Sequence, residues 1–351
     1  MKALQLYGKQ DVRFEDVPMI NIEREDDVII QVKTAGICGS DISRFGKIGS
    51  YNPGLIWGHE FAGVVAETGK SVSSVKAGDR VVACPCFPCF NCEHCHRANY
   101  AKCTDLKVLG GHRKGAFAEY ISVPAANVVR IPDDLDFDAA SFVEPSAVVV
   151  HALDRVSIKA GSSVVVVGCG TIGQLAVQWA RIYGAGKVYV CDTEQQKLDV
   201  ALKAGADDIF NATAADFEQK FSTVTHGKGV DLVIESSGNA AGIASCMNLA
   251  SKGGTVLLLG IPYGDVPFDR SSFEKIIRNE LTVRGSWNSL SAPFPGREWA
   301  TSLDYMRKGL VNPSLLITHR IKLEEAPGIF PQLYQRKFHF IKVLIDIDEG
   351  H

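Results

Sequence analysis

The sequence predicts an α/β protein: a doubly wound parallel sheet inserted into a discontinuous, β-rich domain. Three observations carry this reading. Short apolar segments separated by Gly and Asp turns fill the first part of the chain. Strand-like and helical segments then alternate from about residue 164 to 283. The alternation stops after Gly285, and the chain closes on another strand-like run at residues 340–345. A chain of 351 residues is also too long for one ordinary core, which points to two domains.

Composition narrows the function classes. Hydrophobic residues make up 46% and charged residues 22%, the balance of a soluble globular protein. The net charge of −3 supplies no basic field, so neither nucleic acid nor a membrane is expected as a partner. Apolar runs such as residues 164–167 and 256–259 are far too short to span a bilayer. The first residues lack the apolar stretch and cleavage site of a secretory signal, so a cytoplasmic location is expected. In that reducing compartment the ten cysteines read as metal ligands or thiols rather than disulfides.

In the first part, residues 28–32 and 61–65 are β-branched or apolar segments, and residues 76–80 form a Gly-Asp turn. No long helical period precedes about residue 140. The four valines at 164–167 then form a buried-strand run. A helical stretch follows at 171–183, a strand at 188–191, a helix at 195–204 and a strand at 208–210. Further strands are expected at 232–234, 255–259 and 281–283. The expected domains are residues 1–145 with 286–351, and 146–285 between them.

Gly168-Cys169-Gly170-Thr171-Ile172-Gly173 follows the valine run and opens a helix, the context that a dinucleotide-binding Rossmann motif requires. Gly168 makes the tight turn, Gly170 lets the backbone approach a pyrophosphate, and Gly173 lets helix and strand pack closely. The helix start, Thr171 and Ile172, offers free N–H groups to phosphate. Asp192 ends the next strand, 19 residues after Gly173. A carboxylate there accepts from the ribose hydroxyls and repels a 2′-phosphate, which favours NAD over NADP.

Two cysteine patterns point to metal. Cys89, Cys92, Cys95 and Cys103 are spaced C-x2-C-x2-C-x7-C, within a lobe at about 84–104. Four thiolates close a tetrahedral Zn2+ shell and leave no open position, so this site is structural. Cys84 and Cys86 are competing ligands by position, and an iron–sulfur cluster is the alternative metal. A second, open site is expected from Cys38, His59 and Glu144, with Glu60 beside His59. Three ligands of that kind leave a position for water or an alcohol.

Together these motifs resemble the zinc-dependent medium-chain alcohol dehydrogenase family. Gly58-His59-Glu60-x2-Gly63-x5-Gly69-x2-Val72 is similar to its zinc signature. Cys38-Gly39-Ser40-Asp41, the four-cysteine lobe and the glycine motif stand in the family's order. The resemblance implies a GroES-like catalytic domain, a Rossmann domain, two Zn2+ per subunit, NAD, and a homodimer or homotetramer. Glu144-Pro145 resembles the sorbitol dehydrogenase branch, where Glu60 or Glu144 completes the zinc shell; Glu144 is favoured at rest. Ser43 stands where many relatives carry a proton-relaying His, which leaves Ser40, water or Glu60 for that task.

Residues 285–299, from Gly285-Ser286-Trp287 to Glu298-Trp299, resemble the galactitol-1-phosphate dehydrogenases. That implies oxidation of a secondary alcohol of a polyol phosphate to a ketose phosphate. Arg44, Lys47, His112 and Arg113 are candidates for binding the phosphate, and Trp287 for lining the substrate. The alternatives are a non-phosphorylated polyol, a vicinal diol or threonine as substrate, or a cofactor-binding protein without catalysis.

Overall fold

A computed structural model describes residues 1–347. The chain divides into two units. The first comprises Met1–Ala147, Asn288–Gly309 and the C-terminal segment from Ile317. The second comprises Val148–Trp287 and Leu310–Leu316. The sequence pattern assigns 310–316 to the β-rich domain, but that stretch belongs to the second unit. The side chain of Gln178, on the helix Thr171–Ile182, explains it: its Oε1 accepts the Asn312 N–H at 2.6 Å.

The first unit is β-rich, as its short apolar segments predict. Its main sheet runs in the order Val128–Arg130, Arg80–Ala83, Glu60–Thr68, Asp27–Gly36, Lys342–Asp346, Ile317–Lys322, with Tyr120–Pro124 also on Asp27–Gly36. The inward faces bury Ile30, Val32, Phe61, Val81, Val343 and Ile345. Phe330, fully buried, packs edge-on against Trp57 at 4.8 Å between ring centroids and touches Phe45 and Phe117. The C-terminal region also holds helices Arg297–Arg307 and Ala326–Tyr334, which the sequence reading passed over. Pro331 lies inside the second and breaks the helical signal.

The second unit is a six-stranded, wholly parallel sheet. Its order is Asp208–Asn211, Lys187–Asp192, Ser163–Val167, Val230–Glu235, Ala250–Leu258, Thr282–Gly285. The chain starts at Ser163–Val167 in the middle, works outward on one side, then returns to work outward on the other. That reversal is the switch point at which such sheets bind ligands, beyond the carboxyl ends of their strands. Helices separate the strands, and Val164 to Val166 are fully buried, which accounts for their unbroken apolar run. Among the described residues no helix is long and apolar enough to cross a membrane.

Phe330→Ala should cost about 3–5 kcal/mol, because three aromatic neighbours cannot close the cavity. Scanning calorimetry should show the first unit's transition lowered by several degrees. An unchanged transition would mean that this aromatic cluster does not support the core.

Candidate functional site

The open site is assembled at one end of the main sheet of the first unit. Asp27–Gly36 pairs with Glu60–Thr68 so that Gly36 stands opposite Glu60. A side chain at 36 would bring its Cβ to 2.5 Å from Glu60 Oε2, so glycine there makes room for the carboxylate. Cys38 follows that strand and caps the short helix Gly39–Ser43: the Ser40 N–H points at its sulfur at 3.5 Å, and its own N–H donates to Asp41 Oδ2 at 3.0 Å. Gly58, at φ +89°, turns the chain into His59 where a Cβ would strike Phe117.

The result is convergence. Ligand atoms of Cys38, His59 and Glu60 lie within 4.8 Å of one another. Asp41, 1% exposed, places Oδ1 3.7 Å from His59 Nδ1, the outer-shell carboxylate that orients a ligating imidazole. Burial raises the Asp41 carboxyl, against the pull of His59. Burial alone would lower His59, but Asp41 and Cys38 outweigh it and raise it well above its ordinary value. Behind the site, the Lys342 ammonium forms a buried ion pair with Glu60 and donates to Ile37 O at 3.2 Å.

Glu144 sits in the first turn of the helix Val143–Leu153 and is not one of the three converging residues. Of the two candidate carboxylates, Glu60 is the one that stands with Cys38 and His59 in this structure. Burial pushes the Glu144 carboxyl up to about 7, with His59 opposing and Glu60 adding to the rise. A soft thiolate, an imidazole and a carboxylate are a donor set that fits a Zn2+ ion with a vacant coordination position.

Cys89, Cys92, Cys95 and Cys103 also converge within 4.8 Å, with Cys89 and Cys95 sulfurs 3.9 Å apart. That is close to the roughly 3.8 Å edge of a tetrahedron with Zn–S bonds of about 2.3 Å. The Cys89 N–H donates to Cys103 Sγ at 3.2 Å and the Asn91 N–H to Cys89 Sγ at 3.4 Å. The Thr104 and Cys95 amides bring Cys92 down to about 5, while burial pushes Cys95 up to about 12. Four sulfurs at this spacing are the donor set of a closed, tetrahedral zinc shell, so the cluster fits that ion. Cys84 and Cys86 are buried apart from the four, tied by the Asn127 amide, which donates to both their carbonyls.

In the second unit Gly168 has φ +91° and Gly170 caps the helix with open space where a Cβ would stand, a bare backbone cradle for a pyrophosphate. A Cβ on Gly173 would collide with Gly168 O, which confirms the close helix–strand approach. Thr171 and Ile172 begin the helix. Asp192 ends its strand, with Oδ2 accepting the Cys169 N–H at 2.6 Å and Oδ1 the Glu194 N–H at 2.9 Å.

The candidate substrate residues divide. Arg44 stacks on Tyr51 at 4.7 Å, and His112 stacks on the same ring at 5.4 Å between centroids. One terminal guanidinium nitrogen of Arg44 is buried without a hydrogen-bond partner. Burial, then Lys107 and Arg44, lower the His112 imidazole. Arg113 is exposed and lies instead over Phe87, at 4.3 Å. Lys47 is exposed at the end of the helical turn Arg44–Ile48. Trp287 belongs to the second unit and is half exposed. Sequence reasoning gave no role to Lys342, Asp41 or Tyr51; a lone lysine inside the apolar run at 341–345 was the available signal for the first.

Comparison with known proteins decides the family. Residues 24–133 match the alcohol dehydrogenase GroES-like domain, and residues 171–306 match the zinc-binding dehydrogenase domain. The chain belongs to the zinc-dependent medium-chain alcohol dehydrogenases. It is 32% identical to sorbitol dehydrogenase of Bacillus subtilis (strain 168), over 98% of this chain and 97% of that one. It is 36% identical to L-threonine 3-dehydrogenase of Bacillus velezensis, over 88% of each. The crystal structure of galactitol-1-phosphate dehydrogenase from Escherichia coli matches with a TM-score of 0.93 and 31% identity, over 99% of this chain and 100% of that one. This family member is an oxidoreductase acting on alcohols, and its cofactors are zinc and a nicotinamide dinucleotide.

Metal analysis of the purified protein should find two zinc ions per chain. Cys92→Ser should lower that to one and reduce soluble yield; a variant that loses the metal at full stability would remove the structural role of the lobe.

Proposed function

We propose that this dehydrogenase oxidises a secondary alcohol of a polyol phosphate to the ketose phosphate, with NAD as acceptor. The observation that carries the phosphate is Arg44. It lies three residues beyond Asp41 and four beyond Ser40, on the helical segment that begins at Cys38. Four helical residues rise about 6 Å, the reach of a short polyol between a reacting hydroxyl and a terminal phosphate. A guanidinium nitrogen without a partner is a donor to spare for a phosphate oxygen, and His112 packs on the same Tyr51 ring.

Cys38, His59 and Glu60 hold the catalytic zinc in this reading, and Glu144 exchanges with Glu60. When bound, Zn2+ lowers the pKa of a coordinated alcohol, and the nicotinamide accepts the hydride. The chain's own residues do the rest. Asp41 keeps His59 oriented. Ser40 hydrogen-bonds the substrate hydroxyl and passes on its proton, the role open to it because Ser43 replaces a relay histidine. Lys342, ion-paired with Glu60, would balance that carboxylate's charge. Asp192 takes the adenosine ribose and favours NAD.

The enzyme acts, in this proposal, in the cytoplasm and as a homodimer or homotetramer. The edge strand Thr282–Gly285 is exposed along its length, and the preceding helix presents Phe273 and Ile277 to solvent. An uncovered strand edge beside apolar side chains is a template for pairing with a second copy.

Saturation kinetics over polyols, their phosphates, a vicinal diol and threonine test the substrate. The phosphate should give the highest kcat/KM, and Arg44→Gln should raise its KM about 10–100-fold with little effect on unphosphorylated polyols. Equal loss on both would remove the phosphate role. Cys38→Ala should abolish turnover and leave NAD affinity intact; a parallel loss of NAD binding would contradict separate metal and dinucleotide sites.

A further inference from the structure

Tyr51 keeps 55% of its surface in solvent, yet its ring packs against two other side chains. The Arg44 guanidinium lies over it at 4.7 Å, and the His112 ring packs on it at 5.4 Å between centroids, tilted by 33°. The three residues come from the helical turn Arg44–Ile48, the loop that follows it, and the loop after the short strand Lys107–Val108. All belong to the first unit.

Each segment is fixed by its own neighbours. Beside Arg44, Phe45 is buried against Phe330 and Tyr334. Gly49, at φ +84°, donates its N–H to Arg44 O at 2.7 Å and turns the chain back toward that residue. The Gly54 N–H donates to Leu6 O at 2.8 Å, which pins the far end of the loop bearing Tyr51. Just beyond His112, the Gly115 N–H donates to Ile56 O at 2.9 Å and the Ala116 N–H to Gly58 O at 3.0 Å. The cluster is therefore tied to both chain segments that carry the converging ligands: Arg44 continues the helix that Cys38 caps, and Gly58 precedes His59.

The guanidinium also lies against the loop that bears His112. A Cβ at Gly111 would stand 3.3 Å from Arg44 Nη2 and 3.5 Å from Nη1, so glycine there leaves room for the cation. Nη1 is buried without a hydrogen-bond partner. An aromatic face holds a guanidinium without consuming any of its N–H groups, and ordering so long a side chain is otherwise costly. His112 adds a second donor. Its Nδ1 accepts the Val108 N–H at 3.3 Å, so the proton of the neutral ring is on Nε2. Burial, then Lys107 and Arg44, lower this imidazole and favour that neutral form.

We propose that Tyr51 is a positioning residue that makes the site selective for phosphorylated substrates. Its ring holds the Arg44 guanidinium and the His112 imidazole in place before substrate arrives, so that their N–H groups meet one phosphate together. Ordering both donors in advance removes that cost from binding. This role rests on the reading of Arg44 as the phosphate ligand, and it names the side chain that preorganises that ligand.

Steady-state kinetics of the zinc-loaded full chain on galactitol 1-phosphate and on galactitol test it. Tyr51→Ala should raise the KM for the phosphate about tenfold, with kcat and the KM for galactitol each within about twofold of wild type. Tyr51→Phe keeps the ring and should recover most of the wild-type KM. If Tyr51→Ala does not accumulate in soluble form, Tyr51→Leu, which keeps bulk and loses the aromatic face, should show the same split. In an Arg44→Gln background Tyr51→Ala should add less than about threefold, because the main side chain it positions is gone. An equal KM rise on both substrates, or full additivity with Arg44→Gln, would overturn the positioning role. So would an unchanged KM in Tyr51→Ala where Arg44→Gln raises it. Wild-type protein with no preference for galactitol 1-phosphate, or an Arg44→Gln variant as good as wild type on it, would overturn the phosphate reading, and this role with it.

Discussion

Lys342 and Glu60, each 2% exposed, form an ion pair on which the active-site architecture depends. Lys342 also donates to the carbonyl of Ile37, the residue before Cys38, and Glu60 is bonded in sequence to His59. One ammonium group therefore ties together the two chain segments that supply the three converging ligands. Burial would lower the lysine's pKa, but Glu60 and Cys38 more than reverse this and raise it. Such a pair is poor evidence for stability, because desolvation offsets much of its attraction. Its value here is geometric. It holds a carboxylate next to the metal position while giving it a second partner, which is what an exchangeable ligand needs.

The two metal sites show how ligand number sets function within one fold. The lobe offers four sulfurs and nothing else, so it saturates its ion and organises a loop region with little secondary structure of its own. The other site offers one sulfur, one imidazole and a choice of carboxylates, a set that leaves a coordination position open. Asp41 and Lys342 surround it with opposite charges, one orienting His59 and one balancing Glu60.

Features confined to short stretches were legible in the sequence. The cysteine lobe and the glycine motif are each encoded within about fifteen residues, and the strand–helix alternation of the second unit follows from local periodicity. The features that escaped depend on distant segments. Lys342 meets Glu60 from 282 residues away, so nothing near either residue announces the pair. The approach of Glu60 to the Cys38 segment follows from the register that sets Gly36 opposite Glu60, which no motif specifies. Asp41 was visible in the Cys38 motif, but its approach to His59 is a tertiary contact. Arg113, grouped with Arg44 by the same resemblance, lies over the ring of Phe87, a tertiary contact that no local pattern announces.

Anomalous diffraction at the zinc edge, from crystals grown with and without a polyol, addresses the central claim most directly. The account requires a peak bounded by Cys38 Sγ, a His59 ring nitrogen and a glutamate carboxylate, with a solvent ligand that a substrate hydroxyl replaces. A zinc peak at the four-cysteine lobe alone, or a second zinc whose shell is closed to the polyol, would contradict it.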